Sequence, residues 1–234
     1  MRLIRLPGVF PPHPETELLA SVLAEHGGRA GRALDLCTGS GVLALALARL
    51  GAAEVTAVDL GRRAVLSTRL NARRHGVCIR ALRGDLFGPV GGQRFDLITS
   101  NPPYVPAPTA ALPRHAAARA WDAGLDGRAL LDRICAQAAR HLAPGGSLLL
   151  THSSVAGIQE SCRRLEASGL DVDVIRTRQD PLGPVMRARA ELFCARGLLE
   201  PGVLFEQLAV IQARAPRTVR FVRAPAREAT LVAT

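Results

Sequence analysis

The sequence contains no lysine. All 30 of its basic residues are arginine, set against 20 acidic residues for a net charge of +10. Arginine without lysine, beside abundant alanine, reads as the codon bias of a GC-rich genome. The charge alone therefore does not assign a polyanionic partner; a basic docking surface and nucleic acid both stay open. Arg214, Arg217, Arg220, Arg223 and Arg227 crowd into a tail, residues 214–234, of weak periodicity and expected poor order. Cysteine is scarce. Cys37, Cys78, Cys135, Cys162 and Cys194 are odd in number and include no C-x-x-C pair. That spacing argues against a disulfide framework and for buried free thiols in a reducing cytoplasm. The six histidines form no H-x-x-x-H pair and no Cys/His cluster, which argues against a metal site. No apolar run reaches membrane-spanning length, and Met1-Arg2-Leu3-Ile4-Arg5 leads into prolines rather than a signal-peptide core. The expected location is cytoplasmic, without membrane contact.

What is present is an alternation. At 234 residues the chain fits one α/β domain with small extensions, and it is 48% hydrophobic. Residues 1–14 are read as an extended segment, and Glu15 to His26 as a helix, since acids favour a first turn. Strands are expected at Ala33–Cys37, Glu54–Val58, Ile79–Leu82, Phe95–Ser100, Ser147–Thr151, Asp171–Thr177 and Gln207–Gln212. Helices are expected at Val42–Leu50, Arg62–His75, Arg128–Leu142, Ile158–Ser168 and Val185–Ala195. This rhythm predicts a doubly wound, mostly parallel seven-stranded sheet over residues 15–213, with an antiparallel last strand.

Ligands of such sheets bind beyond the carboxyl ends of the central strands. Asp35-Leu36-Cys37-Thr38-Gly39-Ser40-Gly41 follows the first strand, and its glycines allow close backbone approach. Asp59 ends the second strand, where a carboxylate can accept from ribose hydroxyls. Asp85 follows the third, placed to accept from an adenine amino group, with Leu86 and Phe87 expected beside the ring. The pattern fits a nucleoside. Gly39 to Ala44 also satisfies G-x-G-x-x-[G/A], so NAD is an alternative to S-adenosylmethionine. Asp35 is expected to favour a cationic ligand portion, which points to the sulfonium.

After the fourth strand comes Asn101-Pro102-Pro103-Tyr104. Two prolines force a turn. An Asn oxygen and the Pro102 carbonyl are both acceptors, able to hold the two hydrogens of a planar –NH2 group against the Tyr104 ring. An Asn-Pro turn with a packed tyrosine would be the purely structural explanation.

Together these motifs resemble the HemK-type release-factor glutamine methyltransferases, class I S-adenosylmethionine-dependent enzymes with a Rossmann-like sheet. Pro12-His13-Pro14-Glu15-Thr16-Glu17 is similar to that family's P-R-P-D-T-E segment, with His13 in place of Arg. Asp35 to Gly41 is similar to D-L-x-T-G-S-G, and Trp121 to Gly127 is similar to the segment after N-P-P-Y. The resemblance spans residues 8–213, and the chain resembles the short branch lacking an N-terminal domain, in which a small activating subunit is a possible partner. It implies S-adenosyl-L-methionine as cofactor, with Thr16, Asp35, Cys37, Thr38, Gly39, Gly41, Asp59, Asp85, Leu86 and Asn101 around it. It implies catalysis by Asn101, Pro102 and Tyr104, and an acceptor site of these with Pro103. The acceptor implied is a release-factor glutamine, with Arg187, Arg189 and Arg196 offered as substrate contacts. RNA or DNA amino groups, a small metabolite and a non-catalytic scaffold are the other readings.

Overall fold

The computed structural model describes residues 2–26, 30–111 and 118–217. Seven strands form one sheet: β1 (Arg32–Leu36), β2 (Glu54–Asp59), β3 (Arg80–Arg83), β4 (Phe95–Ser100), β5 (Leu142–Ser153), β6 (Asp171–Pro181) and β7 (Phe205–Arg214). Their spatial order is β3-β2-β1-β4-β5-β7-β6. The first five are parallel, and β7 runs antiparallel to both β5 and β6. β1 is central, and Ala33 to Leu36 are all fully buried, as a strand covered on both faces requires.

Helices cover the sheet: α1 (Pro14–His26), α2 (Val42–Arg49), α3 (Arg62–Arg74), α4 (Leu131–His141) and α5 (Ile158–Ala167). α1 opens on Pro14, whose fixed φ suits a first helical position, followed by Glu15 and Glu17. Its Leu18, Leu19, Val22 and Leu23 join the core. α4 begins at Leu131, three residues after the expected start at Arg128. Arg128 instead turns its buried guanidinium to the Ala156 and Gly157 carbonyls and the Ser161 hydroxyl, tying α4 to α5.

Three strands run longer than their hydrophobic patterns suggest. β5 begins at Leu142, and the Pro144-Gly145-Gly146 stretch is absorbed as an irregularity between the Phe95–Leu142 and Leu97–Ser147 pairs. β6 and β7 pair over their whole length, from Asp171–Arg214 to Pro181–Phe205. Between them the expected helix Val185–Ala195 is broken at Arg189 into α6 (Pro184–Ala188) and α7 (Ala190–Ala195). Residues 218–234, most of the expected disordered tail, lie outside the described residues. Cys78 is exposed rather than buried, while Cys135 and Cys162 are buried. Among the described residues no helix is long and apolar enough to cross a membrane.

Candidate active site

Strand order reverses between β1 and β4: the chain leaves β1 toward β2 and β3, and leaves β4 toward β5. Side chains at this switch point open a crevice beyond the strand ends. Leu36 pairs with Ser100, so the loop after β1 and the N-P-P-Y turn after β4 emerge side by side. The crevice is a cavity of about 590 Å³ lined by residues that include Thr16, Cys37, Thr38, Gly39, Asp59, Asp85, Asn101 and Pro103. That size suits a nucleoside-bearing ligand.

The loop after β1 has an unusual backbone. Cys37 at φ 57°, Gly39 at 56° and Gly41 at 87° all lie in the left-handed region. Gly41 has a second constraint, since a Cβ there would stand 2.9 Å from Thr68 Cγ2. Asp35 braces this loop and does not line the cavity. It is fully buried; one carboxylate oxygen accepts from Thr38 Oγ1 at 2.5 Å and the Ala44 amide at 3.2 Å, the other from Thr99 Oγ1 at 2.9 Å. Burial pushes its carboxyl up to about 7 against the pull of those three hydrogen bonds. The expected contact between Asp35 and a cationic ligand is thus replaced by a structural role, and Asp35 does not distinguish a sulfonium from NAD.

Asp59 does line the cavity. Its two oxygens accept from the Gly39 amide (2.9 Å) and the Gly61 amide (2.7 Å). A carboxylate offers about four lone pairs, so each oxygen keeps capacity for a ligand hydroxyl. Burial raises its carboxyl from the ordinary value, while the two amides and Arg119 pull it down. Asp85, at the far end, is exposed and held at 2.7 Å by Arg133 of α4. Leu86 is buried with φ 45° and does not line the cavity. Phe87, expected beside the ring, instead stacks in the core on His141 at 4.4 Å.

At the turn, Asn101 Nδ2 donates to Thr16 Oγ1 at 2.9 Å. This fixes the amide's orientation and leaves Oδ1, which takes no hydrogen bond among the described residues, as the available acceptor. Pro103 lines the cavity, whereas Pro102 is buried. Tyr104 is buried too, with its hydroxyl facing Glu15, so its ring is not displayed on the cavity wall as expected. Gly127 secures the turn from below: a Cβ there would fall 2.1 Å from the Tyr104 carbonyl oxygen.

Several participants escaped the sequence reading. Asn71, fully buried in α3, donates to the Ser40 and Ile4 carbonyls and accepts from the Ile4 amide, clasping residues 2–12 beside the glycine loop. Gly8 to Pro12 thereby become cavity wall, and Phe10 stacks on His13 and approaches Trp121 at 5.7 Å. A single asparagine on a helix that carries five arginines is the available signal. Arg189 bonds the Pro106 carbonyl and Asp122, and Arg196 bonds the Ala107, Pro108 and Leu125 carbonyls. These two arginines hold the loop after β4, in place of the substrate contact expected of them.

Residues 1–116 match the family described as Methyltransferase small domain. The chain is 38% identical over 187 residues to a release factor glutamine methyltransferase of Gloeobacter violaceus, an alignment covering 76% of this chain and 65% of that protein. It is 31% identical to a putative protein N5-glutamine methyltransferase of Methanocaldococcus jannaschii, over 77% of this chain and 90% of that one. The fold resembles a chain of the E. cuniculi Mtq2-Trm112 complex, responsible for methylating the eRF1 translation termination factor, with TM-score 0.61 and 22% identity over 89% of this chain and 99% of that chain. This protein belongs to the HemK-type glutamine methyltransferase family, and it spans about two thirds of the Gloeobacter relative's length.

Proposed function

We propose that the protein transfers a methyl group from S-adenosyl-L-methionine to the side-chain amide nitrogen of a glutamine in a translation release factor. The observation that carries this is the oriented Asn101 amide at the edge of a nucleoside-sized cavity, with Asp59 on the cavity's other side. The cavity's donor set fits the cofactor. Asp59 would take the ribose hydroxyls, Asp85 the adenine end, and the Cys37 to Ser40 backbone the centre of the molecule. When bound, the cofactor supplies an electrophilic methyl on a sulfonium.

The rest is work for the chain's own residues. An amide nitrogen is a poor nucleophile because its lone pair is delocalised. Asn101 Oδ1 and the Pro102 carbonyl would accept its two hydrogens, fix its orientation and stand where positive charge develops. Thr16 keeps Oδ1 turned to that task by occupying Nδ2. Tyr104 supports the turn from behind. The excess proton leaves after transfer, so no general base is needed in the transition state. The catalytic unit is residues 15–213 together with Gly8 to Pro12, which wall the cavity; it works in the cytoplasm and is of the kind that can take a small activating subunit.

Mass spectrometry of release factors from wild-type and deletion strains tests this. The expected result is a methyl group on a loop glutamine in the wild type only. Equal methylation in both strains, with purified protein labelling only RNA or a metabolite, would overturn the reading.

A further inference from the structure

A second group of ionisable side chains lies behind the N-P-P-Y turn, outside the cavity. Tyr104 is 6% exposed, and its hydroxyl faces Glu15 in the first turn of α1. Glu206, 7% exposed, stands on β7 directly opposite Asp180 on β6. Like charges opposed on paired strands repel. Asp180 is neutralised by the two-pronged Arg178, at 2.7 and 2.8 Å, which Glu17 also faces from α1. Glu206 has no such cation among the described residues. Its hydrogen-bonding neighbour is the Ser153 hydroxyl on β5, and its Oε2 is buried without a partner among the described residues. Buried polar atoms are seldom left so. Burial, with repulsion from Glu15 and Asp180, outweighs Ser153 and pushes the Glu206 carboxyl up to about 7.

We propose that Glu206 is a positioning residue of the acceptor wall: with Glu15, its carboxyl group sets the charge of the pocket that holds the Tyr104 phenol behind the N-P-P-Y turn. With Glu206 protonated, the phenol faces one nearby anion, Glu15, beside the paired Asp180. With Glu206 ionised, a second buried anion joins it, and the potential at the turn becomes more negative. In a low-dielectric setting such a charge acts strongly over short distances. It favours positive charge developing on an acceptor nitrogen held at Asn101, so transfer is faster once Glu206 is ionised. Only this kinetic consequence rests on the function proposed above.

Tyr104 is the only tyrosine in the chain, so tyrosine labelled with ¹³C at Cζ gives a single NMR signal from the full-length protein. In the wild type that signal should shift with a midpoint near 7. Glu206→Gln should abolish the shift, and Glu15→Gln, by removing repulsion, should lower the midpoint. S-adenosylhomocysteine affinity by calorimetry should stay unchanged in Glu206→Gln. A signal that does not move in the wild type, or that keeps its midpoint in Glu206→Gln, would overturn the proposal. Should that variant fail to fold, Glu206→Asp must still titrate at a displaced midpoint, and an unchanged midpoint would count against the proposal. With a glutamine-containing release-factor loop peptide, kcat should rise through the same midpoint in the wild type and stay flat in Glu206→Gln, with KM for the cofactor unaltered. A Tyr104 titration in a protein that methylates no amide would fault the functional reading and leave the Glu206 assignment standing.

Discussion

The loop after β1 and the loop after β4 border the same cavity but are tied to different parts of the molecule. Residues 37–41 are tied to the central strands and α3: Asp35 takes the Thr38 hydroxyl, Asp59 takes the Gly39 amide, and Asn71 donates to the Ser40 carbonyl. The described residues of the loop after β4, 105–111 and 118–125, bond across their own backbone (Val105 to Trp121, Ala107 to Gly124) and are strapped from outside by Arg189 and Arg196, whose partners lie 67 to 89 residues away in sequence. The first loop is therefore rigid as part of the central sheet. The second depends on the excursion between β6 and β7, so the acceptor-facing wall can change while the cofactor-facing wall stays as it is.

Four substitutions would break or sharpen this contrast. The largest effect concerns the inner brace. Asp35 has a folded carboxyl at about 7 against an ordinary 3.8, so the folded protein holds a proton that the unfolded chain has lost between those values. Stability should accordingly fall as pH rises from about 4 to about 7, by an amount on the order of 4 kcal/mol. Asp35→Asn should remove that share of the slope, read as denaturant midpoint against pH, leaving the share due to Glu206. Next, Asn101→Ala should lower kcat about 10²–10³-fold, as for loss of a preorganised polar group at a reacting centre, with cofactor affinity little changed. Wild-type turnover in that variant would remove Asn101 from the chemistry. Asp59→Ala should do the reverse, weakening cofactor binding by about 1.5–3 kcal/mol in calorimetry. The smallest effect is expected at the outer strap. Arg189→Ala should lower local stability by about 1–2 kcal/mol, visible as faster hydrogen exchange over residues 105–125. Exchange that quickens equally at residues 37–41 would show that the two loops are not independently held.

The same contrast explains what could be read from the sequence. Strand and helix alternation, the position of Asp59 and the turn at Asn101 are local signals, and each lies where its pattern indicates. Asp35 was misjudged because β1 is buried on both faces, so alternation along the strand cannot tell which way a polar side chain points. Phe87 lies two residues after the cavity residue Asp85, yet the left-handed Leu86 between them redirects the chain and sends Phe87 into the core. The arginine straps, the Asn71 clasp and the Arg133–Asp85 pair join residues whose nearness is created only by the folded sheet. The extended β6–β7 hairpin is of that kind too. Its outer strand alternates weakly because β6 is an edge strand, half exposed along most of its length.

The cofactor assignment is the claim on which the rest depends, and it can be tested without knowing the acceptor. Purified protein should be titrated calorimetrically with S-adenosylmethionine and, separately, with NAD. One equivalent of S-adenosylmethionine should bind, with affinity weakened in Asp59→Ala, and NAD should give no heat of binding. Heat from NAD with none from S-adenosylmethionine would contradict the account.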